Sequence, residues 1–205
     1  SRLINGAESN TATIEAVKRL VGEGCTTNIH YVISNQTIRE AIYRLENDLF
    51  PRGINAVIFI LYKPVGYGQR NKMVSQIELL EKFLMLAIKK HNFRVGFDTC
   101  FTPAILRWCM DDIPVSCIDA CEAGTFSMYI DSQLNAYPCS FGIDCRGNGI
   151  SLKSNTIRDV WSSELFSQLR KSADGSCLSC KEKVYCLGGC KLRLDINLCK
   201  EQIRV

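Results

Sequence analysis

Cysteines are the residues of this chain whose type and spacing could do chemistry. There are 12 among 205 residues, and five of them follow one another as C-x2-C-x5-C-x3-C and then Cys199, beginning at Cys177. Thiolates two residues apart can face into one turn, and Gly188 and Gly189 let the backbone approach the sulfurs and adopt positive φ. Four thiolates bind a tetrahedral zinc ion or hold a cubane iron–sulfur cluster. The spacing predicts a metal or cluster site and leaves the metal open.

Five cysteines in this segment exceed one four-ligand site, which predicts two sites with further ligands from upstream. The upstream candidates are Cys100, Cys109, Cys117, Cys121, Cys139 and Cys145. A cubane held by four thiolates carries about −2, so nearby cations should stabilise it. Between Cys177 and the C-terminus the basic residues outnumber the acidic ones by three, out of a net charge of +4 for the whole chain. The basic surplus therefore lies where anionic clusters would bind.

Two other uses of the cysteines stay open at this point, a disulfide framework and a structural zinc site. The small net charge of +4 argues against nucleic acid as a partner. The longest apolar run, Ala56–Tyr62, is far shorter than the roughly 20 residues that cross a bilayer. We therefore expect a cytoplasmic protein with no nucleic acid or membrane partner.

The residues up to about position 110 alternate between strands and helices, which predicts an α/β fold. Strands are predicted at Ile29–Ile33, Ile54–Tyr62 and Arg94–Phe97. One helix is predicted to follow a cap at Asn10, a second to follow a Thr37-x-x-Glu40 capping box, and a third to span Lys72–Lys90. Such alternation indicates right-handed crossovers in a parallel sheet. Three strands cannot close a barrel of about eight. Either the sheet is a small open one, or residues 1–110 are the C-terminal half of a larger partial (β/α) barrel, and we favour the second.

Residues 111–205 form a second region, rich in Cys, Gly, Ser and Asn. Phe126–Ile130 alternates at period two and Ala136–Phe141 is its predicted return strand, which gives an antiparallel hairpin. Thr156–Lys171 has the apolar spacing of one amphipathic helix. The prediction is a small Cys-rich α+β domain that needs a cross-link to hold its shape.

The cysteine spacing resembles the C-terminal signature of SPASM domains, the auxiliary-cluster modules of radical S-adenosylmethionine enzymes. Cys121-Glu-Ala-Gly124, Met128-Tyr-Ile-Asp131 and Ala136-Tyr-Pro-Cys139 resemble the N-terminal signature of the same domain. Asn28–Tyr31 and Gly53–Gly66 resemble later strands of the radical S-adenosylmethionine partial barrel. The resemblance implies a partial barrel over 1–110 and a SPASM domain over 111–205.

In that family, interleaved cysteines hold two auxiliary 4Fe–4S clusters. Carried over to this chain, the outer group of ligands is Cys177, Cys180, Cys186 and Cys199. The inner group is Cys121, Cys139 and Cys190, completed by Cys117 or by Cys100. The resemblance assigns no role to Cys25, Cys109 or Cys145.

The sequence departs from the family pattern at two places. The family has Gly five residues before the cysteine matching Cys139, where this chain has Leu134, and we expect Asn135 to adopt the left-handed turn conformation instead. The C-x3-C-x2-C motif of the catalytic cluster is absent from these 205 residues. We therefore expect that the N-terminal barrel half is missing, that S-adenosylmethionine binds only if this half is present, and that this chain alone generates no 5′-deoxyadenosyl radical.

The resemblance implies that this chain is the auxiliary-cluster portion of a maturase-type oxidoreductase, which modifies a peptide or protein. That peptide or protein is the expected partner. Lys63 follows the second strand, at the end where barrel active sites form, and is a candidate for cofactor binding together with Tyr67 and Gln69. Two alternatives remain: a stand-alone iron–sulfur module for electron transfer or peptide binding, and a zinc-stapled structural domain. Uptake of iron together with sulfide would distinguish the enzyme portion and the stand-alone iron–sulfur module from the zinc-stapled domain, which takes up no sulfide.

Overall fold

The computed structural model describes residues 7–143, 149–171, 177 and 179–199, and these residues belong to two compact units. The first unit comprises the described residues up to Tyr62 together with Val74–Asp98. The second comprises Lys63–Met73 together with the described residues from Thr99 onwards. No helix within these described ranges is long and apolar enough to cross a membrane.

The first unit is a three-stranded parallel sheet with connecting helices, as the alternation of apolar patterns predicts. Its elements in chain order are α1 (Ala7–Gly22), β1 (Asn28–Ile33), α2 (Ile38–Glu46), β2 (Ala56–Leu61), α3 (Ile77–Ala87) and β3 (Arg94–Phe97). The strand order is β1-β2-β3, with Ala56 opposite Asn28 on one side and Arg94 on the other. The predicted parallel α/β arrangement is confirmed for this unit.

Strand β2 is the centre of the first core because it is flanked by both other strands and covered by helices. Its Val57 and Phe59 side chains lie on one face and are fully buried. Ile58 and Ile60 on the other face are only partly buried. The Phe59 ring meets the ring of Phe83 edge-on at 4.9 Å between centroids, a favoured aromatic geometry. This packing of β2 against α3 organises the unit.

The predicted capping box at the start of α2 is wrong. The Thr37 hydroxyl donates to the carbonyl of Val32 at 2.6 Å and accepts from the N–H of Ser34 at 2.9 Å. Glu40 instead pairs with Arg44 one turn further along the helix. The hydroxyl thus ties the helix start back to the end of β1, a partner that the local motif does not contain.

Two predicted helix starts are also displaced. Helix α1 begins at Ala7, so Asn10 lies inside it and is not its cap. The helix expected from Lys72 begins at Ile77. The N–H and hydroxyl of Ser75 both donate to the side-chain oxygen of Asn35, which holds the preceding segment outside the helix.

The second unit contains a small antiparallel sheet and short helices. Its elements are α4 (Thr102–Trp108), β4 (Tyr129–Ile130), β5 (Asn135–Tyr137), β6 (Ile150–Ser151), α5 (Ile157–Ser162), α6 (Glu164–Lys171) and α7 (Lys183–Cys186). The predicted hairpin is confirmed as the pair β4–β5, and β6 adds a third strand that the sequence did not indicate. Strand β5 ends before Pro138, since proline has no N–H to donate to a ladder.

The hairpin turn differs from the expectation, because Leu134 itself has a positive φ of 66° and Asn135 is in β5. The Asp131 carboxylate accepts the backbone N–H groups of Gln133 and Asn135, at 2.9 and 2.8 Å. These bonds lower the pKa of Asp131, with the Asn135 N–H as the largest cause. The carboxylate therefore stabilises a turn that a leucine disfavours by about 1–2 kcal/mol.

The single helix predicted over Thr156–Lys171 is interrupted at Ser163, which is extended at ψ 160°. The Ser163 hydroxyl donates to the carbonyl of Val160 at 2.6 Å, a local bond that competes with the helix ladder. Helix α5 begins at a capping box between Thr156 and Asp159. The two short helices bury Val160 and Phe166 against Ala136 of the sheet.

Candidate functional site

The four cysteines of the outer group line one cavity of the second unit, with a volume of about 340 Å³. Cys186 ends α7, and Cys199 lies nine residues after Cys190. Pro103, Leu106 and Arg107 of α4 form the opposite wall of the cavity. The cavity volume lies within the range of pockets that hold small ligands.

The outer thiols lie close enough for their charges to interact. Burial raises the pKa of Cys186 to about 11, and the Cys199 and Cys177 thiolates add to the increase. The backbone N–H groups of Gly188 and Gly189 act in the opposite direction, because they donate to the Cys186 sulfur. Both glycines have the positive φ that the sequence predicts, 93° and 64°. Four thiols that repel one another as anions are a suitable set for a cationic centre.

Arg107 supplies a positive charge to this group. Its guanidinium donates to the carbonyl of Cys199 and lies 5.0 Å from the centre of the Trp108 ring. It lowers the pKa of Cys199, although burial and the neighbouring Cys177 thiolate raise that pKa overall. An arginine here stabilises negative charge on the outer sulfurs.

The structure also brings together Cys121, Cys139 and Cys190, the three cysteines that the resemblance assigns to the inner group. Burial raises the pKa of Cys190, and the Cys121 and Cys139 thiolates raise it further. Burial likewise raises the pKa of Cys121, to which Cys139 contributes. The Cys190 sulfur accepts the backbone N–H of Arg193 at 3.3 Å. The inner thiols thus act on one another electrostatically, and none of them lines the cavity of the outer group.

The fourth inner ligand stays a prediction. Cys100 lies in the short 3-10 turn Thr99–Phe101 and Cys117 is exposed at the end of the turn Val115–Cys117. Neither is among the main charges that act on Cys121 or Cys190. Among the cysteines without an assigned role, Cys25 is exposed and Cys109 is buried, while Cys145 lies outside the described residues.

Lys63 is placed beside the inner group. Its ammonium lies 5.0 Å from the centre of the Phe141 ring, and with Lys191 it lowers the pKa of Cys121. Its role in cofactor binding stays a prediction, as do those of Gln69 and of Tyr67, whose side chain is fully exposed. The position of Lys63 suits stabilisation of negative charge on the inner sulfurs.

The donors of the outer group are thiols, which bind either zinc or an iron–sulfur cluster. The outer group offers four thiols around a cavity, backbone N–H groups directed at sulfur, and a nearby cation. The eleven cysteines within the described ranges form no disulfide bond. Across those same ranges, no three His, Cys, Asp or Glu side chains are arranged so that they could hold one metal ion.

Sequence reasoning missed two residues that organise these groups. Asn197 is 4% exposed and its side-chain oxygen accepts the backbone N–H of Cys190 at 2.7 Å. Arg193 donates to the carbonyl of Pro64 and makes a two-point ion pair with Asp195. Nothing in the cysteine spacing marks either residue, because their partners are decided by the folded loop.

Two crystal structures of Streptococcus suis SuiB are similar to this chain. One has a TM-score of 0.59 at 20% identity, and the other, bound to S-adenosylmethionine, has a TM-score of 0.57 at 18% identity. Each similarity covers 93% of this chain and 48% of SuiB, so the chain spans about half of the SuiB length. No family model and no curated protein matches the sequence. At these identities the comparison shows that the chain shares its fold with about half of SuiB.

Proposed function

We propose that this chain is the auxiliary-cluster portion of a radical S-adenosylmethionine enzyme with a SPASM domain, which holds two 4Fe–4S clusters during modification of a peptide or protein. The proposal is supported by the fold similarity to SuiB, a protein crystallised with S-adenosylmethionine. It is also supported by the cysteine signatures at both ends of the second region. The remaining half of the barrel, with the catalytic cluster, is the partner that the proposal requires.

The observation that carries the proposal is the division of the thiols into two sets. The four outer cysteines line one cavity, and Cys121, Cys139 and Cys190 are not part of its lining. The Cys121 and Cys139 thiolates instead act on Cys190, whose pKa they raise in addition to burial. This division is consistent with the interleaving of ligands that the resemblance implies, in which Cys186 and Cys190 belong to different groups although only three residues lie between them. A single metal site would gather adjacent cysteines into one set.

The residues of this chain would supply ligands, hydrogen bonds and charge. The outer group would hold one cluster while the Gly188 and Gly189 N–H groups bond to its Cys186 sulfur. The inner group would hold the second, near the ammonium groups of Lys63 and Lys191. When bound, such clusters accept an electron or bind substrate, and the surrounding hydrogen bonds and charges determine their potential.

Anaerobic reconstitution of the full chain with iron and sulfide tests the proposal. We expect about eight irons and eight sulfides per chain, as two cubane clusters require. Cys186→Ser should lose about four of each, because one ligand of the outer cluster is removed. Cys25→Ser is the matched control, since Cys25 is exposed and belongs to the first unit, and it should retain the full content.

The opposite results would refute the proposal. Binding of zinc without sulfide would indicate a structural metal site. Equal iron loss in Cys186→Ser and Cys25→Ser would show that the iron is bound nonspecifically to exposed thiols.

A further inference from the structure

The turn between Cys186 and Cys190 has an unusual backbone. Leu187, Gly188 and Gly189 all have positive φ, at 51°, 93° and 64°. Non-glycine residues adopt this left-handed conformation at a cost, so Leu187 needs support from elsewhere in the fold. The turn separates a cysteine of the outer group from one of the inner group, and its shape determines which group each joins.

A single buried amide holds this turn from one side. The Asn197 oxygen accepts the N–H of Cys190 at 2.7 Å. Its nitrogen donates to the carbonyl of Cys190 at 3.1 Å and to that of Gly188 at 3.4 Å. The partners fix the orientation of the amide, since only its oxygen can accept and only its nitrogen can donate.

Asn197 is itself held firmly. Its neighbours Ile196 and Leu198 are 1% and 2% exposed, so both sides of the backbone are anchored in the core. A Cβ on Gly189 would lie 2.5 Å from the Asn197 oxygen, which is closer than any real contact. The absence of a side chain at Gly189 therefore provides the space for this amide.

We infer that Asn197 is a positioning residue that locks the Leu187–Cys190 turn, so that Cys186 and Cys190 serve different clusters. It lies two residues before Cys199 and thereby connects the backbone of both ligand groups. The inference rests on the proposed function, because it assigns the two cysteines to two clusters. The hydrogen bonds of Asn197 go to the backbone of Gly188 and Cys190.

Asn197→Asp and Asn197→Leu in the full chain test this role after anaerobic reconstitution. Aspartate keeps the size of the side chain but replaces the amide nitrogen, which donates to the carbonyls of Gly188 and Cys190, with an oxygen that can only accept. Leucine removes all three hydrogen bonds. We expect both variants to shift the electron paramagnetic resonance spectra and midpoint potentials of both reduced clusters. Asn155→Asp is the control, because Asn155 is an exposed amide that bonds only to Ser151 and Ser154.

Gly189→Ala perturbs the same contact without changing Asn197 and should reproduce these shifts. Gly66→Ala is its control, since Gly66 also has a positive φ but has no atom within 4 Å of an added Cβ. If Asn197→Leu fails to fold, Asn197→Asp and Gly189→Ala still decide the question.

The outcomes separate the two proposals. If the wild-type chain takes up no iron and sulfide, the proposed function fails and this inference fails with it. If the wild type binds both clusters, and the Asn197 and Gly189 variants keep wild-type spectra and potentials, only the inference fails. A lower melting temperature with unchanged spectra would likewise overturn it, because a merely structural amide would have that effect.

Discussion

Gly124 lies at the closest approach of the loop after Cys121 to the core of the second unit, and its substitution by alanine tests how this loop is held. Its φ is +67°, and an added Cβ would lie 2.9 Å from Leu169 and 3.3 Å from Pro138. Leu169 is 1% exposed, so it cannot move aside into solvent. The Gly124 carbonyl also accepts a 2.8 Å hydrogen bond from Arg170.

Two contributions destabilise Gly124→Ala. The left-handed backbone costs alanine about 1–2 kcal/mol, partly offset by about 0.4–1 kcal/mol from the stiffer unfolded chain. Crowding against Leu169 adds about 1–3 kcal/mol. Gly66→Ala carries only the backbone contribution, because nothing lies within 4 Å of its Cβ. The difference between the two variants therefore isolates the crowding.

Urea unfolding followed by tryptophan fluorescence measures this difference. Both tryptophans, Trp108 and Trp161, belong to the second unit, so the signal reports the unit that is perturbed. We expect the free energy of unfolding of Gly124→Ala to fall about 1–3 kcal/mol below that of Gly66→Ala. Equal unfolding free energies for the two variants would refute the packing argument.

Two further predictions concern the hairpin turn and the first core. The pKa of Asp131 is lowered in the folded state, so the ionised carboxylate stabilises the fold above the ordinary carboxyl pKa, and this contribution is lost on acidification. In acid titrations followed by fluorescence, Asp131→Asn should therefore lose less stability than wild type below about pH 4. An acid transition identical to wild type would contradict this. Phe59→Ala should lower the unfolding free energy by about 3–5 kcal/mol in circular-dichroism melts, because Phe59 is fully buried. Tyr43→Ala, at a 59% exposed position, should change it little, and comparable losses in both variants would show that Phe59 is not central to the core.

The local pattern of the sequence was sufficient for the strands of the first unit. Apolar runs bounded by turn residues are local features, and the parallel sheet follows from their alternation with helices. The positive φ of Gly188 and Gly189 was likewise predictable, since only glycine adopts it at low cost. The concentration of thiols pointed to metal chemistry because few other uses need that residue at that spacing.

The tertiary structure decided which partner a polar side chain takes when local motifs offer another. Ser75 bonds to Asn35, 40 residues away, which places the start of α3 later than the apolar spacing predicts. Thr37 bonds to the end of β1 although a capping box was available, and Leu134 adopts the left-handed turn because Asp131 binds the N–H groups around it. Nothing in the sequence distinguishes Asn197 from other polar residues, and only the folded loop brings its side-chain oxygen to the N–H of Cys190. Local preferences differ by less than about 1 kcal/mol per residue, so one or two hydrogen bonds from outside the local motif are enough to override them.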